Sequence, residues 1–127
     1  MKIVTTIARL LLGLMFTVFG LNGFHPFMPM PPMTGYPAQF MTVIFVTHYA
    51  WVIFAGQLVG GLLLLVNRFV PLGLTILAGV LVNILAYHVF IARGAFPMPL
   101  ITTALWFIVF ARVRSSFAGI FAPTGTS

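Results

Sequence analysis

Neither aspartate nor glutamate occurs among the 127 residues of this chain, and there is no cysteine. Without carboxylates, paired-acid glycoside hydrolysis and oxygen-liganded Ca²⁺ or Mg²⁺ sites have no side chains to work with. Acid-based proton coupling falls for the same reason, and a small multidrug antiporter with it. Without thiols there can be no disulfide, no thiolate nucleophile, no cysteine-held zinc and no iron–sulfur cluster. Charge of the other sign is sparse: six Lys and Arg make 5% of the chain charged, against about 25% in a soluble domain. These cations are scattered rather than gathered into a stripe, which argues against a nucleic-acid partner. What remains is apolar, with 61% hydrophobic residues and a mean hydropathy of +1.18. Six charges cannot make a water-facing surface, so the solvent of this chain is lipid.

The cations divide the sequence into uncharged windows of 58 residues (Arg9 to Arg68), 24 (Arg68 to Arg93) and 18 (Arg93 to Arg112). A spanning helix takes about 20 residues. Each short window therefore holds one crossing, and the long one holds two if it is interrupted. His25-Pro26-Phe27-Met28-Pro29-Met30-Pro31-Pro32 interrupts it, because proline lacks the helix donor and keeps its preceding residue extended. The expectation is an all-α polytopic membrane protein, a single domain of four transmembrane helices at about 3–24, 40–66, 71–91 and 98–113. An outer Met/Pro-rich loop covers 25–39 and a short polar tail 115–127. Pro71 suits a first turn, and Gly94 with Pro97 separates the last two spans.

Orientation follows the positive-inside rule. With the N-terminus inside, Lys2, Arg9, Arg68, Arg112 and Arg114 are all cytoplasmic and only Arg93 is outside, so the expected topology is N-in and C-in. Trp51 and Trp106 then fall in the outer half with Tyr36 and Tyr49, and Arg9 snorkels towards the inner headgroups. The first 23 residues have the basic start and apolar run of a secretory signal but no Ala-x-Ala site, so they are expected to be retained as a helix.

Helices in lipid approach closely through small residues. Gly13 and Gly20, with Gly23 nearby, form one stripe, and Gly56-x-x-x-Gly60 with Gly61 forms a second. Gly79 with Ala86 and Ala104 with Ala111 offer stripes on the last two spans. The glycine motif suits packing within the chain and would also suit a dimer face.

Polar side chains inside a membrane mark function or helix bridging. His48 stands 18 residues from Val66, and His88 stands 17 from Pro71. At about 1.5 Å per residue both lie about 25–27 Å from the inner ends. Asn22 reaches the same level, and His25, Tyr49, Tyr87 and the Thr102-Thr103 pair join that outer layer. Gln57 and Asn83 lie nearer the middle, with Asn83 and Tyr87 four apart on one face. The plain reading is that these groups bridge helices. The sharper one is a quinone headgroup pocket, with histidines donating to a carbonyl and delivering protons. A third is haem or pigment ligation by His48 and His88, with Arg93 as the one outer arginine for propionates. No set of side chains reads as a catalytic or metal centre. The run Met28-Pro29-Met30-Pro31-Pro32-Met33 allows thioether binding of Cu(I), but methionine and proline on a membrane-surface loop account for it and are the favoured reading.

Three stretches together resemble the DoxX family of small four-helix membrane proteins. They are Ala8-Arg9-Leu10-Leu11-Leu12-Gly13 with Phe19-Gly20-Leu21-Asn22-Gly23-Phe24, Gly60-Gly61 through Arg68-Phe69-Val70-Pro71-Leu72-Gly73, and Val82-Asn83-Ile84-Leu85-Ala86-Tyr87-His88. The resemblance implies a four-helix bundle in a bacterial cytoplasmic membrane. It also implies a tie to redox systems, since the family takes its name from the small subunit of a thiosulfate:quinone oxidoreductase. Many members carry a glutamate shortly before the glycine pair where this chain has Gln57. The departure favours a non-catalytic subunit or accessory of a larger redox membrane complex, with other membrane subunits as partners and lipid, quinone or pigment between helices. The alternative is a DoxX-type protein that itself presents a quinone.

Overall fold

The computed structural model describes residues 2–25, 33–93, 97–123 and 125, and among these every regular element is helical. Helix α1 is Lys2–Phe24, α2 is Gly35–Val46 and α3 is Ala50–Leu65. Helix α4 is Val70–Ala86 and continues as a π-helical turn, Tyr87–Ile91; α5 is Pro97–Val113 and ends in a 3₁₀ turn, Arg114–Phe117. Proline starts two of them, Pro97 as the first residue of α5 and Pro71 in the first turn of α4, where an absent N–H leaves no helix bond unmade.

Helices α1, α3, α4 and α5 pack side by side, each running opposite to the next in the chain. Along the α1–α3 seam Gly13 meets Gly61 and Leu65, Gly20 meets Leu58, and Gly23 meets the ring of Phe54. Along α3–α4, Gly60 faces Leu77 and Gly73, while Gly73 faces Leu64. The core cluster is Ala8, Leu12 and Phe16 from α1, Leu64 from α3, Val109 from α5, and Val70, Leu74, Leu77, Val80 and Leu81 from α4. Its spacing of threes and fours is one helical stripe per element. Glycine lets two backbones approach so closely that dispersion contacts, rather than exclusion of water, hold the seam.

Two expected stripes are corrected. Gly79 is exposed with open space where a Cβ would stand, and the small residue that α4 uses is Gly73. Ala104 and Ala111 are exposed as well; α5 buries Pro99, Thr102 and Val109 instead. Residues two positions apart on a helix point about 200° away from one another. Gly79 is therefore turned away from buried Leu77, and Ala104 and Ala111 from buried Thr102 and Val109.

The expected helix at 40–66 is corrected too. It is two helices, α2 and α3, bent by 84° at Thr47–Tyr49. His48 takes a left-handed conformation (φ 65°) just past the C-cap of α2, and its N–H bonds back to the Phe45 oxygen at 3.3 Å. That is a helix stop, a conformation in which histidine is enriched among side-chain-bearing residues. The Thr47 hydroxyl takes the Val43 oxygen at 2.6 Å, adding a side-chain competitor to the main-chain ladder. The segment expected as an outer loop at 25–39 ends earlier, because α2 begins at Gly35, and residues 26–32, with Met28 to Pro32, lie outside the described residues.

A Schellman motif closes α3. The Asn67 N–H bonds the Leu64 oxygen at 3.3 Å and the Arg68 N–H bonds the Leu63 oxygen at 3.1 Å, with Asn67 left-handed at φ 56°. Asparagine tolerates that region better than most residues.

Large apolar side chains cover the outside: Ile3, Val4, Ile7, Leu10, Leu11 and Leu14 form the outer face of α1, and Leu100, Ile101, Phe107 and Ile108 that of α5. In water such a surface would aggregate. Helices at Lys2–Phe24, Val70–Ile91 and Pro97–Phe117 are long and apolar enough to cross a bilayer, and α2 with α3 supplies a fourth if the bent pair is one span. The chain is an all-helical membrane protein.

Candidate functional site

The polar residues expected at one outer level are divided between two aromatic clusters and the helix interior. His48 sits at the exposed elbow between α2 and α3, its ring 4.6 Å from that of Trp51, which in turn lies 6.3 Å from Phe24. Tyr87 and His88 stand together in the π-helical turn, edge to face at 5.2 Å, and Tyr87 meets Phe40 of α2 at 5.3 Å. The equal depth expected for the two histidines assumed an unbroken helix, and the elbow removes that assumption. The ring contact that His48 makes is with Trp51 of its own segment.

His88 is the better-defined of the two. Its Nδ1 lies 2.8 Å from the Ile84 oxygen. A carbonyl only accepts, so Nδ1 carries the proton and the neutral ring keeps Nε2 as its acceptor nitrogen. The π-helical bond from Ala92 N–H to the Tyr87 oxygen at 2.9 Å widens the turn that carries both side chains. Such local π turns are frequent at functional sites. Tyr87 and His88 are half-buried, so a flat ligand could reach them from the lipid side.

Asn83, Thr102 and Thr103 serve their own helices. Asn83 donates to the Gly79 oxygen at 2.9 Å and is exposed. Thr102 and Thr103 bond back to Met98 and Pro99 at 2.8 Å each. Asn22 is half-buried on the last turn of α1, while His25 and Tyr49 are exposed. Gln57 differs from these: it is 6% exposed in α3, and its Oε1 has no hydrogen-bond partner. The Thr17 hydroxyl, also buried, is unpaired in α1, where Thr17 packs against Gly61, one turn along α3 from Gln57. Among the described residues there is no group of three or more histidine, cysteine or acidic side chains able to hold a metal ion.

Sequence reasoning missed two tertiary contacts. Arg9, expected to snorkel to the headgroups, donates Nη1 to the Leu64 oxygen and, at 3.5 Å, to the Leu65 oxygen. The last carbonyls of a helix lack their regular i+4 donors and are partially negative, so a cation from α1 adds to the capping bonds at the end of α3. Trp106, expected in the outer half, donates its indole N–H to the Leu74 oxygen at 2.9 Å and stacks on Phe110 at 5.2 Å. Leu74 is one turn into α4, which puts Trp106 in the half of the bundle that holds the termini. An arginine eight residues from the start of an apolar run was the one signal pointing to the first contact; nothing in the sequence pointed to the second.

The fold and these clusters define a multi-pass helical membrane protein with a His/Tyr aromatic face beside a π-helical turn. No family model, no curated protein and no solved structure matches the chain.

Proposed function

We propose that this protein is a four-span, N-in and C-in protein of a bacterial cytoplasmic membrane, acting as a non-catalytic accessory subunit of a larger redox complex. The observation that carries the reading is α2. It is an apolar helix of twelve residues with Ile44 as its one buried side chain, turned 84° from α3. Tyr36 and Val46 are 73% and 72% exposed on it. An apolar arm of this kind, beside the Tyr87–His88 face, suits a neighbouring membrane subunit better than it suits an isolated bundle. The DoxX-like residues around Gly60-Gly61 and Arg68 to Gly73 support membership of a redox-linked group. The test is purification in a mild detergent: a stoichiometric membrane partner is expected, and Val43→Lys with Val46→Lys on α2 should release it. A solitary monomer that turns over quinone would defeat the subunit reading.

The π-helical turn favours a second reading, in which Tyr87 and His88 receive the headgroup of a reduced quinone, the phenol donating to one ring oxygen and the O–H at the other end donating to His88 Nε2. Titration of the purified protein with a short-chain benzoquinol decides it. His88→Ala should weaken binding while His48→Ala leaves it unchanged; equal affinity in wild type and His88→Ala removes the site.

A further inference from the structure

At the end of the bundle where both termini lie, a cleft of about 160 Å³ opens between α1, the α3–α4 turn and α5. Lys2, Arg9 and Arg112 line it, joined by Thr6 and Asn67. These five residues come from three separate stretches of chain, so the charge cluster is a product of the fold. The chain has no carboxylate side chain with which to neutralise any of it. Three cations held around one cleft repel one another, and an anion supplied from outside relieves that repulsion. The Nη1 of Arg9 is committed to the Leu64 and Leu65 carbonyls, which anchors the guanidinium and leaves its Nη2 and Nε donors for a ligand.

The size and walls of the cleft narrow the choice of anion. Its volume equals about five water molecules at ~30 Å³ each, room for a tetrahedral phosphate and a bridging oxygen. Val70, Val109 and Val113 also line it, and the exposed outer face of α1 carries Ile3, Val4 and Ile7. A soluble phosphate has no use for such a wall, whereas acyl chains do. The first turn of α1 and the last turn of α5 also stand at headgroup depth for helices of this length, where basic pockets between spans collect anionic lipid.

We infer that this cleft is a binding site for the phosphodiester headgroup of an anionic phospholipid, with Lys2, Arg9 and Arg112 as its cationic contacts and Thr6 and Asn67 as neutral donors. The inference is independent of the partner complex and of the Tyr87–His88 site.

The test uses the delipidated full chain in an uncharged detergent, titrated with short-chain phosphatidylglycerol, short-chain phosphatidylcholine and inorganic phosphate, with bound species counted by native mass spectrometry. One phosphatidylglycerol per chain is expected, in preference to phosphatidylcholine. The pair Lys2→Gln with Arg112→Gln should weaken it on the order of tenfold or more, since a direct hydrogen bond from a charged donor to the phosphodiester is worth about tenfold. The pair Arg68→Gln with Arg114→Gln removes the same charge at the same end of the bundle, outside the cleft, and should leave affinity within about twofold. Arg112→Gln alone carries the same reading, with a smaller loss, should the first pair not fold. Equal weakening by both pairs would mean diffuse attraction and overturn the site. So would equal binding of the two lipids, and so would displacement of the lipid by equimolar inorganic phosphate.

Discussion

The main-chain oxygen of Gly61 lies 2.9 Å from the point where a Cβ on Gly13 would stand, so α1 and α3 touch backbone to backbone. A methyl group at Gly61 would meet the Thr17 amide nitrogen at 2.6 Å and the Thr17 hydroxyl at 2.8 Å. Neither is the loose end of a side chain. Gly61→Ala is therefore expected to separate the helices and cost about 1–3 kcal/mol. Gly79→Ala, with nothing within 4 Å, is expected to be neutral or to gain up to about 1 kcal/mol from helix propensity. Unfolding midpoints in detergent, measured side by side, check the pair; an equal loss for both would show that the seam is not where the fold is held.

Arg9 ties the first helix to the end of the third. Arg9→Met keeps the length of the side chain and removes its charge-assisted bonds to the Leu64 and Leu65 carbonyls. The expected loss is about 1.5–3 kcal/mol, the range for hydrogen bonds to charged groups. Hydrogen exchange at the α3–α4 turn should rise with it. Unchanged exchange there would mean that the arginine merely touches headgroups.

Trp106→Phe retains an aromatic ring against Phe110 and deletes the donor to the Leu74 oxygen. A loss of about 0.5–1.5 kcal/mol is expected. Because Trp51 and Trp106 are the only tryptophans in the chain, the fluorescence that remains reports on Trp51 alone and should be as mobile and as quenchable as an exposed residue.

Gln57 combines deep burial with an unpaired oxygen. Replacing it with leucine removes the unsatisfied group and keeps the volume, so Gln57→Leu should raise stability by about 1 kcal/mol or more. Gln57→Glu should lower it, since a buried carboxyl has still less to bond with. A loss with leucine would show that the amide is engaged, and would make Gln57 a functional candidate again.

Orientation can be read directly because there is no native cysteine to remove. In sealed cells, a cysteine introduced by His48→Cys should react with a membrane-impermeant maleimide from outside, and one introduced by Ser116→Cys should react only after the membrane is opened. The reverse pattern would invert the topology, and labelling of both from outside would put the C-terminal end on the face of His48 and overturn the four-span count.

Much of this was written in composition and spacing. Six cations at Lys2, Arg9, Arg68, Arg93, Arg112 and Arg114 delimit apolar windows of the right length, so the helices at Lys2–Phe24, Val70–Ile91 and Pro97–Phe117 were legible within a few residues. The glycines of α1 and α3 were legible as a packing seam because the i, i+4 and i, i+7 rules are local. The histidines were read less well. Whether His48 continues a helix or stops it depends on one backbone angle, and an apolar run looks the same in either case.

The scarcity of charge and the uncharged windows of about 20 residues by themselves pointed to helices in lipid, because backbone groups cannot be left unpaired in hydrocarbon and windows of that length exceed a barrel strand. Which faces meet is another matter. Gly73 rather than Gly79, Thr102 rather than Ala104, and Arg9 on the end of α3 were decided by how the helices dock. In lipid the apolar faces of a helix are nearly equivalent, so close fit and a few hydrogen bonds, both tertiary, choose among them.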